Sequence, residues 1–261
     1  MRFARTYVLA FFCLLLAFPS VAQQTATSVQ RDPQAVSVVQ NSLNAMGAAG
    51  LSAIHDTLIQ AQVTVPRKDG PVTTGVTIRT MGTSSLRVEA SPADGPSILT
   101  LNNQQAWLKV GTDPAEYIPR VAIASAGITY VPLLSILANW SDPGMRVEYI
   151  GLEKLGISTA HHVRLTPPLE DDLPPELESP CDIFIDPLSF LVLKLIYVIR
   201  PPASLVNKVS LEIAYSDYRA VSGILIPYRL THTINGQLAR DYRVTSFSVN
   251  LGAQPGDFEV R

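Results

Sequence analysis

A period of two in the apolar residues, kept up over most of the chain, is what most narrows the folds open to it. Ile59, Ala61, Val63 and Val65 alternate with Gln60, Gln62 and Thr64. Val76 with Ile78 and Leu86 with Val88 continue the pattern, and runs at 97–101 and 106–110 flank the loop Asn102-Asn103-Gln104-Gln105. Further strands are predicted at 146–152, 159–165, 191–199, 208–215, 224–234 and 237–249. Asn235-Gly236 supplies a two-residue hairpin turn, and the phase of the last strand changes between Val244 and Phe247, which predicts a bulge. Successive strand residues face opposite sides of a sheet. Repeated alternation therefore calls for an antiparallel meander with one face in the core and one wet.

Two segments break the period. Asp32-Pro33 is an N-cap followed by proline at the first helical position. Val36, Val39, Leu43 and Met46 then recur at helical spacing up to Gly47, so a helix is predicted over about 33–46. Residues 119–140 carry Ile123, Ile128, Val131, Leu133, Leu134, Ile136 and Leu137 with almost no charge, and a short helix is predicted there. A proline- and acid-rich stretch at 167–180 reads as an exposed loop.

The strand at 191–199 is apolar on both faces: Leu191, Leu193, Leu195, Tyr197 and Ile199 on one, Val192, Ile196 and Val198 on the other. Two readings stay open. Helix 33–46 and segment 119–140 could cover the two faces as an ordinary core, or one face could be an apolar groove under a removable cover.

The first residues have the form of a secretory signal. Arg2 and Arg5 precede an apolar run at 7–18, and Ser20 and Ala22 are small residues before Gln23. The expected organisation is a signal peptide at 1–22 and a single β-domain at 23–261, periplasmic or secreted. Later apolar runs are too short to span a bilayer. Cys13 lies in the signal, which leaves Cys181 alone and excludes a disulfide framework; it is expected to be a buried strand residue. The formal net charge is −2 and no basic cluster is interleaved with aromatics, so nucleic acid is not an expected partner.

Reactive constellations are poor. The histidines are His55, His161, His162 and His232. His161 and His162 would point to opposite faces of a strand and are read as a solvated strand end rather than metal ligands. Asp171, Asp172 and Glu176 fit no calcium loop, and the chain holds no G-x-S-x-G, G-x-G-x-x-G, Walker A or H-E-x-x-H run. No catalytic residue, metal site or cofactor is predicted, and the chain is read as a non-enzyme.

Ile183-Phe184-Ile185-Asp186-Pro187, running into the apolar strand from Leu191, resembles the strand, Asp-Pro turn, strand hairpin of LolA-like outer-membrane lipoprotein carriers. Residues 216–227, Ser-Asp-Tyr-Arg-Ala-Val-Ser-Gly-Ile-Leu-Ile-Pro, resemble a segment of secreted relatives in that superfamily. The helix ending at Met46-Gly47 and the late Asp257-Phe258 are similar in place. The resemblance implies an α+β, mainly β fold: a strongly curved antiparallel half-barrel with an N-terminal helix and a short lid helix, its concave apolar face receiving acyl chains. Candidate groove residues are Trp107, Leu191, Leu193, Leu195, Tyr197 and Tyr228, with Leu133, Leu134, Ile136 and Leu137 as the lid. The expected function is non-enzymatic binding of lipid or lipoprotein acyl chains, with envelope proteins as further partners. The alternative is a sensor or scaffold of the same fold acting through protein contacts.

Overall fold

The structure, a computed structural model, describes residues 29–82, 84–91, 95–103, 105–118, 137, 139–168, 178, 180–199 and 207–259. Pro33–Ala45 form helix α1, and the alternating segments form thirteen strands. These are β1 (Asp56–Val65), β2 (Val72–Met81), β3 (Ser85–Ala90), β4 (Ser97–Asn102), β5 (Gln105–Val110), β6 (Glu116–Ile118) and β7 (Arg146–Leu155). They continue as β8 (Ser158–Thr166), β9 (Cys181–Ile185), β10 (Val192–Ile199), β11 (Val209–Val221), β12 (Ile224–Ile234) and β13 (Gln237–Val249). Two short 3-10 turns, Ala48–Ala53 and Pro255–Phe258, complete the described elements. The predicted short helix and the lid residues Leu133, Leu134 and Ile136 lie outside the described residues.

All thirteen strands join one sheet in the order β6-β5-β4-β3-β2-β1-β13-β12-β11-β10-β9-β8-β7. It is two meanders, β1–β6 and β7–β13, fused where β1 pairs antiparallel with β13. The sheet is open, with β6 and β7 at opposite edges. A sheet this wide curls, because the twist between neighbouring strands accumulates. β6 and β7 are consecutive in the chain, and Leu137 between them is fully buried in the core.

α1 starts at the β7 edge, where Asp32 N donates to Val147 O at 2.8 Å, and Asp32 Oδ1 caps it by accepting from Gln34 N at 2.7 Å. It ends at β12, where Leu225 N donates to Met46 O at 3.0 Å. A helix of this length is about 20 Å long, about the width of the strands between those two points. Beneath it one face of the sheet is dry: Val147, Val163, Ile183, Leu195 and Ile213 are all at 0% exposure. The same face continues across β1 and β2 through Ile59 and Ile78, and is half-buried at Val88, Leu99 and Leu108.

Three details differ from the expectations. The helix buries Ala35, Val38, Val39, Ser42 and Met46, while Val36 and Leu43 are half-buried; small side chains let its backbone approach the sheet. Secondly, a register shift between Val192 and Lys194 sets Val192 opposite Ile185, on the face of Leu195 and Tyr197. One extra residue reverses the alternation, so Leu191 and Leu193 do not extend that row. Thirdly, His162 is buried rather than a solvated strand end: it stacks on Phe184 at 4.5 Å and bonds Asp182 and Glu153. Cys181 is a buried strand residue, as expected.

Gly47 sets the path out of α1. Its φ is 87°, and a Cβ there would lie 2.2 Å from the carbonyl oxygen of Gly223 in the β11–β12 turn. Gly252 has a similar φ of 82° but open space around its missing Cβ. Gly252→Ala is therefore expected to cost only the backbone strain of a left-handed residue, about 1–2 kcal/mol. Gly47→Ala is expected to cost clearly more, because the helix end must also move. Comparing denaturant midpoints of the two variants checks this; equal losses would mean that the close approach is not felt.

His232 lies buried on the core face, its ring 4.7 Å from that of Tyr242. Burial, with Arg240 adding to it, pushes its pKa down to about 3. Between its ordinary value near 6.5 and about 3, the unfolded chain takes up a proton that the folded chain refuses. Stability is thus complete above about pH 6.5 and falls as pH drops through that window, by up to about 1.4 kcal/mol per pH unit. Asp182 and Asp186, both held low, add their loss only below about pH 4. Denaturation at pH 7, 5 and 4 is expected to show the decline, and His232→Gln to flatten it.

Candidate functional site

The sheet is not paired throughout. β12 bonds to β13 from Arg229 opposite Arg243 to Ile234 opposite Gln237. Among the described residues, β12 from Ile224 to Tyr228 pairs with β11 alone, and β13 from Val244 onward pairs with β1 alone. Pro227 explains the parting. The N–H of Leu225 points to the side away from β11, where it meets Met46 O. Two residues on, position 227 faces the same side, and proline has no N–H to give β13. On β13, Thr245 is the extra residue of a bulge against β1, its Oγ1 donating to Gln60 O at 3.1 Å. Both strands thus lose their ladder at one level, and the bulge lies within the predicted phase change.

An apolar hollow opens beside this seam on the core face. Ile59 and Ala61 of β1, Ile78 of β2, Ile226, Pro227 and Leu230 of β12, and Tyr242 and Val244 of β13 line it. Its walls enclose about 240 Å³ of space free of atoms, the open mouth included, but the centre of a water molecule fits in only about 10 Å³ of it. That is room for one water, so a larger guest needs the walls to part. At the seam's level Tyr228 is half-buried, with the Arg219 guanidinium 4.3 Å from its ring centroid. Asp217 holds Arg219 through two bonds of 2.6 and 3.1 Å.

Behind the hollow the outer face is polar. Adjacent strand residues point oppositely, so Arg229 and Arg243 lie behind Leu230 and Tyr242. Asp241 accepts from Arg229 at 3.2 and 3.3 Å and meets Arg243 at 3.7 Å. Further along, Asp182 binds Arg164 at 2.7 Å and His162 at 2.9 Å, and His162 also bonds Glu153 at 2.7 Å. Burial raises the Asp182 carboxyl, but the bonds from Arg164 and His162 outweigh it and hold it below the usual carboxylate range. Burial pushes the Cys181 thiol and the Tyr218 phenol up, so both stay protonated; the Tyr218 hydroxyl donates to Val192 O at 2.6 Å. Among the described residues no three His, Cys, Asp or Glu side chains gather as a metal site, and no helix is long and apolar enough to cross a membrane.

Of the residues singled out in the sequence, Leu195 and Tyr197 lie on the core face, buried between strands β9 and β11. Leu191 and Leu193 are half-buried, and Tyr228 lies at the seam. Trp107 is on the opposite face, beside Tyr117 with ring centroids 5.4 Å apart, because its partners in register are Thr100 and Tyr117 rather than the Leu99–Leu108 row. The hollow's own lining was not selected from the sequence. Its signal was two breaks at one level: a proline inside a long alternating strand, and the phase change in the strand that follows.

No protein-family model matches the chain, and no curated protein matches it by sequence. Solved structures do match in shape. A LolA superfamily protein from Nitrosomonas europaea aligns with a TM-score of 0.57 at 9% identity, covering 87% of this chain and 97% of that one. A domain from Vibrio parahaemolyticus, described as an outer membrane lipoprotein-sorting protein domain, aligns at 0.55 and 9% identity over 85% and 95%. A DUF1329 family protein from Desulfovibrio piger aligns at 0.55 and 11% identity over 86% and 97%. At such identities the likeness is one of architecture: the chain has the fold of LolA superfamily proteins, a wide antiparallel sheet left open and partly covered by helix.

Proposed function

We propose that this chain is a non-enzymatic binding protein of the cell envelope, exported by its N-terminal signal, that takes lipid or lipoprotein acyl chains against the apolar face of its sheet. The observation that carries this reading is the hollow at the β12–β13 seam: an apolar patch of core face beside strands that are not bonded to one another. Leu195 and Tyr197 belong to the same face but lie where α1 fills the space, so the binding surface is assigned to β1, β2, β12 and β13. The fold shared with a lipoprotein-sorting domain supports the reading.

The energetics permit it. Burying a methylene contributes about 0.8 kcal/mol, so some 14 methylenes give roughly 11 kcal/mol gross. Association and ordering cost an estimated ~4–15 kcal/mol. A single chain binds weakly to moderately on these terms, and the tight resting hollow adds the cost of parting its walls.

Val244 lines the hollow and is half-buried, so a larger side chain there fills the space without uprooting the core. Val244→Phe is expected to lower affinity for a fluorescent fatty-acid probe at least tenfold while leaving the melting temperature within a few degrees. Native mass spectrometry of gently purified wild type is expected to show bound lipid. A wild-type protein that carries no lipid and binds no probe would overturn the reading.

A further inference from the structure

We propose that the β12–β13 seam is a lateral entry for one single-chain anionic amphiphile, its tail in the hollow and its acidic headgroup on Arg243 and Arg229 at the outer face. The inference rests on the apolar-binding reading above and adds the route and the headgroup. Three independent observations meet at this level of the sheet.

The first is mechanical. Widening the seam above Arg229 breaks no β12–β13 ladder bond, because Ile224–Tyr228 and the β13 segment from Val244 have none. Pro227 keeps the ladder from zipping up, and the Thr245 bulge turns β13 away. Each strand keeps its other neighbour, β11 for β12 and β1 for β13, so parting them leaves two intact ladders.

The second is apolar. The hollow lies on the core face at that seam, between Ile226, Pro227 and Leu230 on one strand and Tyr242 and Val244 on the other. Its small resting volume suits a slender chain entering between strands better than a bulky lipid.

The third is charge. Two guanidinium groups share the one carboxylate of Asp241, which leaves a positive charge among these three residues. The Arg243 contact is the looser at 3.7 Å, and its side chain is 70% exposed. One strand thickness separates this group from the hollow. A carboxylate or phosphate at the head of an alkyl chain in the seam would meet a guanidinium able to take it in a two-pronged bond.

The test is displacement of the neutral dye N-phenyl-1-naphthylamine by dodecanoate, dodecyl phosphate and dodecan-1-ol, which share one tail length. Wild type is expected to bind at least one of the anions about tenfold or more tighter than the alcohol; which anion is preferred separates a carboxylate from a phosphate source. Arg243→Gln, at a side chain 70% exposed, is expected to erase that preference and leave the alcohol unchanged. Pro227→Val restores a donor and is expected to weaken all three ligands tenfold or more, with a melting temperature equal to or above that of wild type. Equal binding of anions and alcohol by wild type, or an anion preference that survives Arg243→Gln, would overturn the headgroup assignment. Unchanged affinities in Pro227→Val would overturn the seam as the route while the apolar-binding reading stands. If neither dye nor any ligand binds wild type, that broader reading falls with it.

Discussion

The pairing of β1 with β13 holds the rest together. Without it the chain is two separate meanders, and the β1–β6 half carries its apolar face with no described helix of its own above it. The ladder runs from Thr57 opposite Val249 to Thr64 opposite Asp241. It is clamped at its end by Asp56, whose carboxylate accepts from the N–H groups of Leu251, Gly252 and Ala253 at 2.8, 3.0 and 3.3 Å. Since the outermost strands of the two halves, β6 and β7, do not pair with one another, this junction becomes the middle of an open sheet rather than the closing seam of a barrel.

The cover over that sheet is unequal, and the inequality places the candidate site. α1 is one helix, tied by Asp32 to β7 and by Met46 to β12, and it dries the face between those strands. Beyond it the same apolar row goes on through β13, β1 and β2 with no described helix above. The seam lies at the border of these two regions. There the helix end takes the Leu225 N–H that a continuous ladder would have given to β13, and Pro227 has none to offer. Docking of the helix and parting of the strands are thus one arrangement seen from two sides. The segments resembling LolA-like relatives, at Met46-Gly47 and at 216–227, meet at this point.

Electrostatic detail is concentrated away from the hollow. The Arg164, Asp182, His162 and Glu153 group ties β7, β8 and β9 across the outer face. It shields Phe184, which is only 4% exposed although it points away from the core. No titratable side chain lines the hollow except the phenol of Tyr242. Such a lining selects guests by area and shape, and leaves any reading of charge to the outer face.

Much of the fold was legible in the sequence because its signals are local. Alternation and apolar runs locate every strand except β6, which is only three residues long, and β9, which enters through the family resemblance. Asp32-Pro33 starts the helix, and Asn235-Gly236 makes the turn that its positive φ angles of 47° and 79° require. The site was legible only in fragments. Pro227 and the phase change near Thr245 each mark a broken ladder, yet nothing local says that the two breaks face one another. Trp107 and Leu193 show the same limit: which face a side chain takes depends on register, and a single bulge reverses it. The amino-acid order alone settled the element types, the turns and the supply of apolar residues, since these follow from dihedral preference and period. Strand neighbours, the reach of the helix and the alignment of two ladder breaks into one opening belong to the tertiary structure, because they depend on pairing between residues far apart in the chain.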